Sequence, residues 1–475
     1  MGSESLEVAP GESRYGGPAC QADLVHDVDS ALDLLCDRDL ASGRRVSEAW
    51  RGLSGGDARY RASQFDVQRY LWLILPRLVR AGDPVDWRPV VEAFGAFFEL
   101  TGEPRYAEIC RGRWTERVLA AADDLDRCAE LAINAMDDSG VLPPEDLDIA
   151  WLSEPGPYEA AAFDAIARAL ESAIEDGQIP LATPATDAMR LVLAVDLLNS
   201  TLADEGRRTV AQAMTTERMR YWSRQTPSSA LRELLVRTEP DIAAPPRRDL
   251  RLDTLAPLRL LLEACGGPGA RLTRAGYLPT ELVARLVEAL PDELASAGGG
   301  RSEAGWPPVM RLRDLAERCE LLEPDGGRLR LTYLGEDALI DELALFGALI
   351  SRLIGMADPT HRQHVLETVF TMMLLEARVD RAALDRRITV VLAEYGWERV
   401  SDPDSDPDSD PVGDLADEVP ALRAETLADL RILGALADGA DAADDDGRPV
   451  GVNDFGRELV VASMRARVMQ GWWWG

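Results

Sequence analysis

The sequence contains no lysine: all 51 of its basic residues are arginine, although lysine is among the commonest residues of ordinary proteins. This removes the amine at the centre of a Walker A phosphate loop, a protein-kinase ATP site, a Schiff-base site or a Ser-Lys dyad. Histidine is almost missing too. Only His26, His361 and His364 are present, so acid–base chemistry would fall to Asp, Glu, Tyr or Cys. The six cysteines, at 20, 36, 110, 128, 265 and 319, form no CxxC pair, which argues against a zinc site or a disulfide framework. The longest apolar run, Leu71 to Leu75, is far too short to span a bilayer, and no signal peptide opens the sequence. A cytoplasmic protein is expected, with no membrane attachment, metal or cofactor.

What is present is acid. A formal charge of −32 over 475 residues repels phosphate and argues against a general nucleic-acid or anionic-membrane surface. Two explanations fit the missing lysine. Drift in a GC-rich genome or salt adaptation would exchange lysine for arginine; selection against an amine attacked by a ubiquitin-like or Pup-like tagging system would do the same.

Helix, turn and strand signals join into one unit between Arg271 and Gly335. Thr280 reads as the cap of a helix with Leu282, Val283, Leu286, Val287 and Leu290 on one face. A second helix begins near Pro308, with Val309, Leu312, Leu315, Ala316 and Cys319 in one stripe. Pro324-Asp325-Gly326-Gly327 then reads as a hairpin turn, and Arg328-Leu329-Arg330-Leu331 alternates as the strand leaving it. With a helix from Leu255 to Cys265, capped by Asp253 or Thr254, the unit reads as a winged helix. From Arg247 to Glu336 there are 13 arginines against 14 acids, a charge of −1, so the other residues carry −31 of the −32. The candidate nucleic-acid contacts are Arg311, Arg313 and Arg318 on the recognition-like helix and Arg328 and Arg330 on the wing. Asp314 and Glu317 stand among them on the outward face, which suits a protein partner at least as well as DNA.

The expected architecture is mostly α, with a helical-hairpin N-terminal region followed by tandem winged-helix-like domains with short β-hairpin wings. Residues 1–20 read as a disordered N-terminus and 21–242 as a helical domain. Its aromatics Tyr70, Trp72, Trp87, Phe94, Phe97, Phe98, Tyr106 and Trp114 read as core, and Asp123, Asp124, Asp126, Asp137 and Asp138 as a solvated acidic face. A boundary is expected at Ala243 to Arg248. The first winged-helix-like domain occupies 247–340. A second copy occupies 341–470, because Gly447-Arg448 to Gly456 repeats Gly327-Arg328 to Gly335 with one extra residue. This copy contains an acidic linker at 401–418 and carries 16 acids against three arginines over 401–454, which excludes DNA. Its Asp402, Asp404 and Asp406 lack the glycine and glutamate of a calcium loop, and His361 and His364 read as a helix N-terminus rather than metal ligands. Residues 471–475 form a tail whose Trp472, Trp473 and Trp474 are candidate partner-docking anchors.

The segments FDVQRYLW, PRYAEIC, LTRAGYLP and LAERCELLEPDGGRLRLTYLG together resemble uncharacterised actinobacterial proteins of the kind grouped near the plasmid pRiA4b ORF-3 family. The shared motifs are structural, so the resemblance implies no catalytic residue. Where that group has basic residues after the wing turn, this chain has Glu320, Glu323 and Asp325 around it. An actinobacterial cytoplasm would make Pup-type tagging a real context. The leading expectation is a non-enzymatic scaffold or adaptor engaging a protein partner. The alternative is a winged-helix DNA-binding transcriptional regulator, and the third an enzyme using Asp, Glu or Cys chemistry. The oligomeric state is left open.

Overall fold

The structure, a computed structural model, describes residues 28–56, 60–81, 86–147, 149, 155–181, 183, 185–202, 208–245, 252–354, 360–397, 415–437 and 448–470. The expected disordered N-terminus at 1–20, His26, linker residues 401–414 and the tryptophan tail at 471–475 lie outside them. The fold is mostly helical, and no helix among the described residues is long and apolar enough to cross a membrane. The chain divides after Ala211 into two compact units.

The first unit holds α1 (Val28–Arg38), α2 (Leu40–Ser54), α3 (Gln64–Arg69), α4 (Leu75–Ala81), α5 (Arg88–Leu100), α6 (Pro104–Arg111), α7 (Arg113–Ala120), α8 (Leu125–Ser139), α9 (Pro157–Glu175) and α10 (Thr186–Leu198). Neighbours in sequence pair as hairpins: α1 on α2, α5 on α6, α7 on α8 and α9 on α10. Proline at the first helical position of α6 and left-handed Gly102 (φ 82°) make one such corner. The aromatics form the core as expected. Phe94, Phe97 and Phe98 are fully enclosed, with ring centroids 4.7 Å apart for Phe94–Phe98 and 5.3 Å for Phe98–Tyr106. Trp87 and Trp114 are only half-buried, and arginines lie over their faces, Arg88 at 4.7 Å and Arg117 at 4.5 Å.

The second unit contains α11 (Val210–Gln225), α12 (Ser229–Ala243), α13 (Ala256–Cys265), β1 (Ala270–Arg271), α14 (Thr280–Ala289), α15 (Asp292–Ala295), α16 (Pro307–Arg318), β2 (Leu322–Asp325), β3 (Arg328–Leu331), α17 (Tyr333–Asp337), α18 (Glu342–Leu353), α19 (His361–Leu375), α20 (Arg381–Glu394), α21 (Leu415–Ile432) and α22 (Asp454–Gln470). The strands form an antiparallel sheet in the order β1-β3-β2, with Ala270 opposite Leu329 and Leu322 opposite Leu331. Gly326 and Gly327 take φ of 55° and 78°. A two-residue hairpin of this hand needs positive φ at both positions, which is why two glycines stand there.

The same pattern recurs downstream. Val379 pairs with Val450 and Leu436 with Val452, in the order of the first sheet. The Thr332 N–H donates to the Leu321 carbonyl and the Asn453 N–H to that of Ala435. Thr332 Oγ1 accepts from Gly335 N (3.0 Å), and Asn453 Oδ1 from Gly456 N (2.8 Å). Both glycines are forced, because a Cβ on Gly335 would overlap the Leu321 carbonyl and one on Gly456 that of Ala435. The pairing places the extra residue at Pro449, between Arg448 and Val450, where the first copy runs directly from Arg328 to Leu329.

Several expected boundaries move. The break at 243–248 does not separate the units, because Leu231, Leu234, Leu235 and Ile242 of α12 belong to the core shared with α19, α20 and α22. The acidic linker ends earlier than expected. Residues 415–418 already form the first turn of α21, where Asp417 and Glu418 meet the positive end of the helix dipole. Thr280 is the first residue of α14 rather than its cap, since Pro279 takes that place, and the Thr254 hydroxyl is buried with no hydrogen-bond partner among the described residues.

Candidate functional site

The outward face of α16 is not open. Asp429 of α21, only 2% exposed, receives Arg311 Nε at 2.7 Å, Arg318 Nη2 at 2.9 Å and Arg362 Nη2 at 2.7 Å. Arg311 Nη2 also donates to the Glu425 carbonyl (2.6 Å), and Arg318 Nε to Asp314 (3.1 Å). Three guanidinium forks from α16 and α19 therefore end on one carboxylate, and α16 packs against α21, its counterpart in the repeated pattern. Burial pushes the Asp429 carboxyl above its ordinary range, partly countered by the charges of Arg318 and Arg311.

The other sequence-predicted contacts are engaged as well. Arg313 spans Glu317 (2.6 Å), the Gly276 carbonyl (2.7 Å) and buried Glu303 (3.4 Å). On the hairpin, Arg328 donates to the Pro268 and Gly269 carbonyls (3.1 and 2.9 Å), and Arg330 pairs with Asp325 at 2.9 Å. The exposed arginines of this region with no ion pair among the described residues are Arg271, Arg274, Arg285 and Arg301. None lies on α16 or β3. Trp472, Trp473 and Trp474 fall outside the described residues.

A second buried centre surrounds Glu367 on α19. It is 1% exposed and takes Arg467 Nε (3.1 Å), Gln363 Nε2 (2.9 Å) and a His364 contact at 3.4 Å. Burial raises its carboxyl, but the His364 hydrogen bond and the Arg467 charge outweigh burial and hold it below the ordinary range. His364 stacks on Tyr395 at 3.6 Å, His361 meets the edge of Trp397 at 5.7 Å, and Thr360 caps the helix they open. Burial pushes the thiols of Cys110 and Cys319 up to about 12 and that of Cys265 to about 11, which leaves them protonated and poorly nucleophilic at neutral pH.

In the first unit, α3 buries a run of polar side chains, Ser63, Gln64, Asp66 and Gln68. Ser63 and Asp66 form a capping box. Arg168 of α9 reaches Asp66 (3.3 Å), Asp164 (2.9 Å) and the Arg61 carbonyl (2.8 Å). One turn away, buried Glu171 accepts from Gln64 N (2.8 Å) and Tyr106 Oη (2.7 Å), and burial raises its carboxyl. The helix then widens into a π-turn at Tyr70–Ile74, a local feature frequent at functional sites. Beside Asp66 and Arg168 lies a half-enclosed cavity of about 240 Å³. Local pattern carries no direct signal for Asp429, Glu367 or this cavity, because Arg311 and Arg318 lie more than a hundred positions from Asp429 and Arg467 a hundred from Glu367. The one visible hint was polar residues at successive even positions inside the apolar FDVQRYLW segment.

No family model, no curated protein and no solved structure matches the chain.

Proposed function

We propose that the chain is a non-enzymatic adaptor whose second unit consists of two winged-helix-like modules fixed to one another and docking a protein partner. The observation that carries this reading is the capture of Arg311, Arg318 and Arg362 by Asp429. A recognition helix must offer its donors to base edges and phosphates, and here the two arginines of α16 nearest that role end on a buried carboxylate. We place the chain near the pRiA4b ORF-3 group on the hairpin segment and the helix before it. The zero-lysine composition fits a cell with a lysine-tagging pathway.

A docking face accompanies this reading. Tyr333, Ile340 and Leu343 are 81%, 74% and 67% exposed, and Glu336, Asp337, Asp341 and Glu342 stand among them with no arginine between Arg330 and Arg352. Apolar side chains set among acids complement a basic amphipathic segment. Trp472, Trp473 and Trp474 belong to the same proposal as a second apolar anchor. A fluorescein-labelled amphipathic peptide of leucine and arginine serves as the probe, followed by anisotropy with the full chain. Saturable binding that weakens at least tenfold in the Tyr333→Ser/Ile340→Ser/Leu343→Ser variant is expected. Equal binding by both proteins would contradict the assignment of this face, and loss on deleting 472–474 would identify the tail as the contact. DNA binding is kept as a second reading for one reason: Arg271, Arg274 and Arg285 are exposed with no ion pair among the described residues, so DNA would have to be held there rather than by α16.

A further inference from the structure

We infer that a second opening of the first unit, the groove between α3, the α6–α7 corner and the end of α8, is a binding site for a neutral sugar. It is an open groove of about 360 Å³, within the size range of small-ligand sites. Trp72 and Trp114 stand in its wall. The indole N–H of Trp72 is spent on Thr115 Oγ1 (2.8 Å), which leaves that side chain only an apolar ring to offer. Trp114 is half-buried. Aromatic rings of this kind receive the apolar face of a saturated ring.

The polar chemistry comes from two glutamines one turn apart on α3. Gln64 and Gln68 are 4% and 2% exposed, and both line the groove, although glutamine is ordinarily a surface residue. Each carboxamide is held at one end only. Gln64 Oε1 accepts from Arg105 Nη2, and since an arginine can only donate, the Nε2 end is turned away from it. Gln68 Oε1 is reached by Ser139 Oγ at 3.4 Å. Neither Nε2 has a hydrogen-bond partner among the described residues, so two amide donors on nearly buried side chains lack an acceptor of the chain's own.

Acids complete the set. Glu108 and Asp138 also line the groove and have no ion pair among the described residues; Asp138 adjoins the serine that touches Gln68. With Arg105 and Arg113 opposite them, the charged walls balance at two against two, so nothing selects an ion. The site asks for groups that accept from an amide and donate to a carboxylate. A hydroxyl does both through one oxygen, and a sugar carries several on a ring whose other face is apolar. A peptide carbonyl accepts but cannot donate, and would leave the carboxylates unanswered.

The test is isothermal titration of the full chain with maltose, cellobiose and lactose, alongside saturation-transfer NMR. N-acetylglycine N-methylamide serves as the peptide-backbone control. Saturable millimolar binding of at least one disaccharide is expected, with transfer to its ring C–H protons and none to the control. Gln68→Leu should weaken that binding at least tenfold without lowering the Tm, because it removes a half-paired amide at constant bulk. Asp138→Ala, on an exposed residue, should weaken it at least threefold and decides the matter if Gln68→Leu does not fold. Circular dichroism and melting establish folding of both. Uptake of none of the three sugars, variants that bind as wild type, or tighter binding of the methylamide would each overturn the proposal, the last in favour of a peptide main chain.

Discussion

Asp429 and Asp66 are both nearly buried carboxylates held by arginine, yet their surroundings differ in what is left over. Around Asp429 the donors of Arg311, Arg318 and Arg362 are spent on that carboxylate and on neighbouring Glu425 and Asp314. Around Asp66 a capping serine and Arg168 hold the carboxylate beside a half-enclosed cavity of about 240 Å³, and Arg69 at that cavity is exposed with no ion pair among the described residues. A saturated cluster fixes helices against one another. The second cluster is held by fewer charges and borders open space. The first centre is therefore architectural, although its arginines are the ones a sequence reader would choose as contacts.

The largest effect that would separate the two centres is on stability. Asp429→Ala leaves three guanidiniums facing a partly buried gap and should cost about 3–5 kcal/mol in denaturant unfolding, whereas Arg69→Gln should stay within about 0.5 kcal/mol of wild type. Equal losses at both positions would erase the distinction. Arg318→Lys keeps the charge but loses the fork that reaches Asp314 and Asp429 together; a loss of about 1.5–3 kcal/mol, one charge-assisted hydrogen bond, is expected.

Buried glutamates offer a subtler contrast, read as pH dependence. The Glu367 carboxyl is held below its ordinary range, so its contribution is present above the unfolded value and lost as pH falls through the folded one. The Glu171 carboxyl is raised, so its contribution is present at low pH and lost as pH rises through the folded value. Replacing each in turn by glutamine should remove pH slopes of opposite sign, measured as Tm across the acid range; slopes of one sign would break this contrast. The smallest effect belongs to Arg330→Ala. Its pair with Asp325 is about half exposed on both sides, and a cost below about 1 kcal/mol is expected.

Much of the secondary structure was legible in the sequence, because helix stripes and turn glycines act over a few residues. The apolar face of α16 and the glycine pair of its hairpin stand where periodicity and turn chemistry place them. The repeat was legible too, since the same close approach demands glycine at 335 and 456. What periodicity cannot register is which polar face another helix covers. Arg311 and Arg318 looked outward by helical geometry, and their partner Asp429 is more than a hundred residues away in a segment read mainly for its negative charge. The missing lysine was plain at once, and the structure adds a local reason for arginine at several positions. Arg168, Arg313 and Arg465 each reach several oxygens that a single ammonium could not span.

The most direct measurement is retention of the full chain on heparin and on duplex DNA at low salt, compared with Arg311→Ala/Arg318→Ala and Arg328→Ala/Arg330→Ala variants. If α16 and the hairpin are held internally, wild type passes through unretained and the variants differ from it in stability alone. Salt-sensitive retention of wild type, lost in either variant, would contradict the internal lock and return these arginines to a nucleic-acid surface.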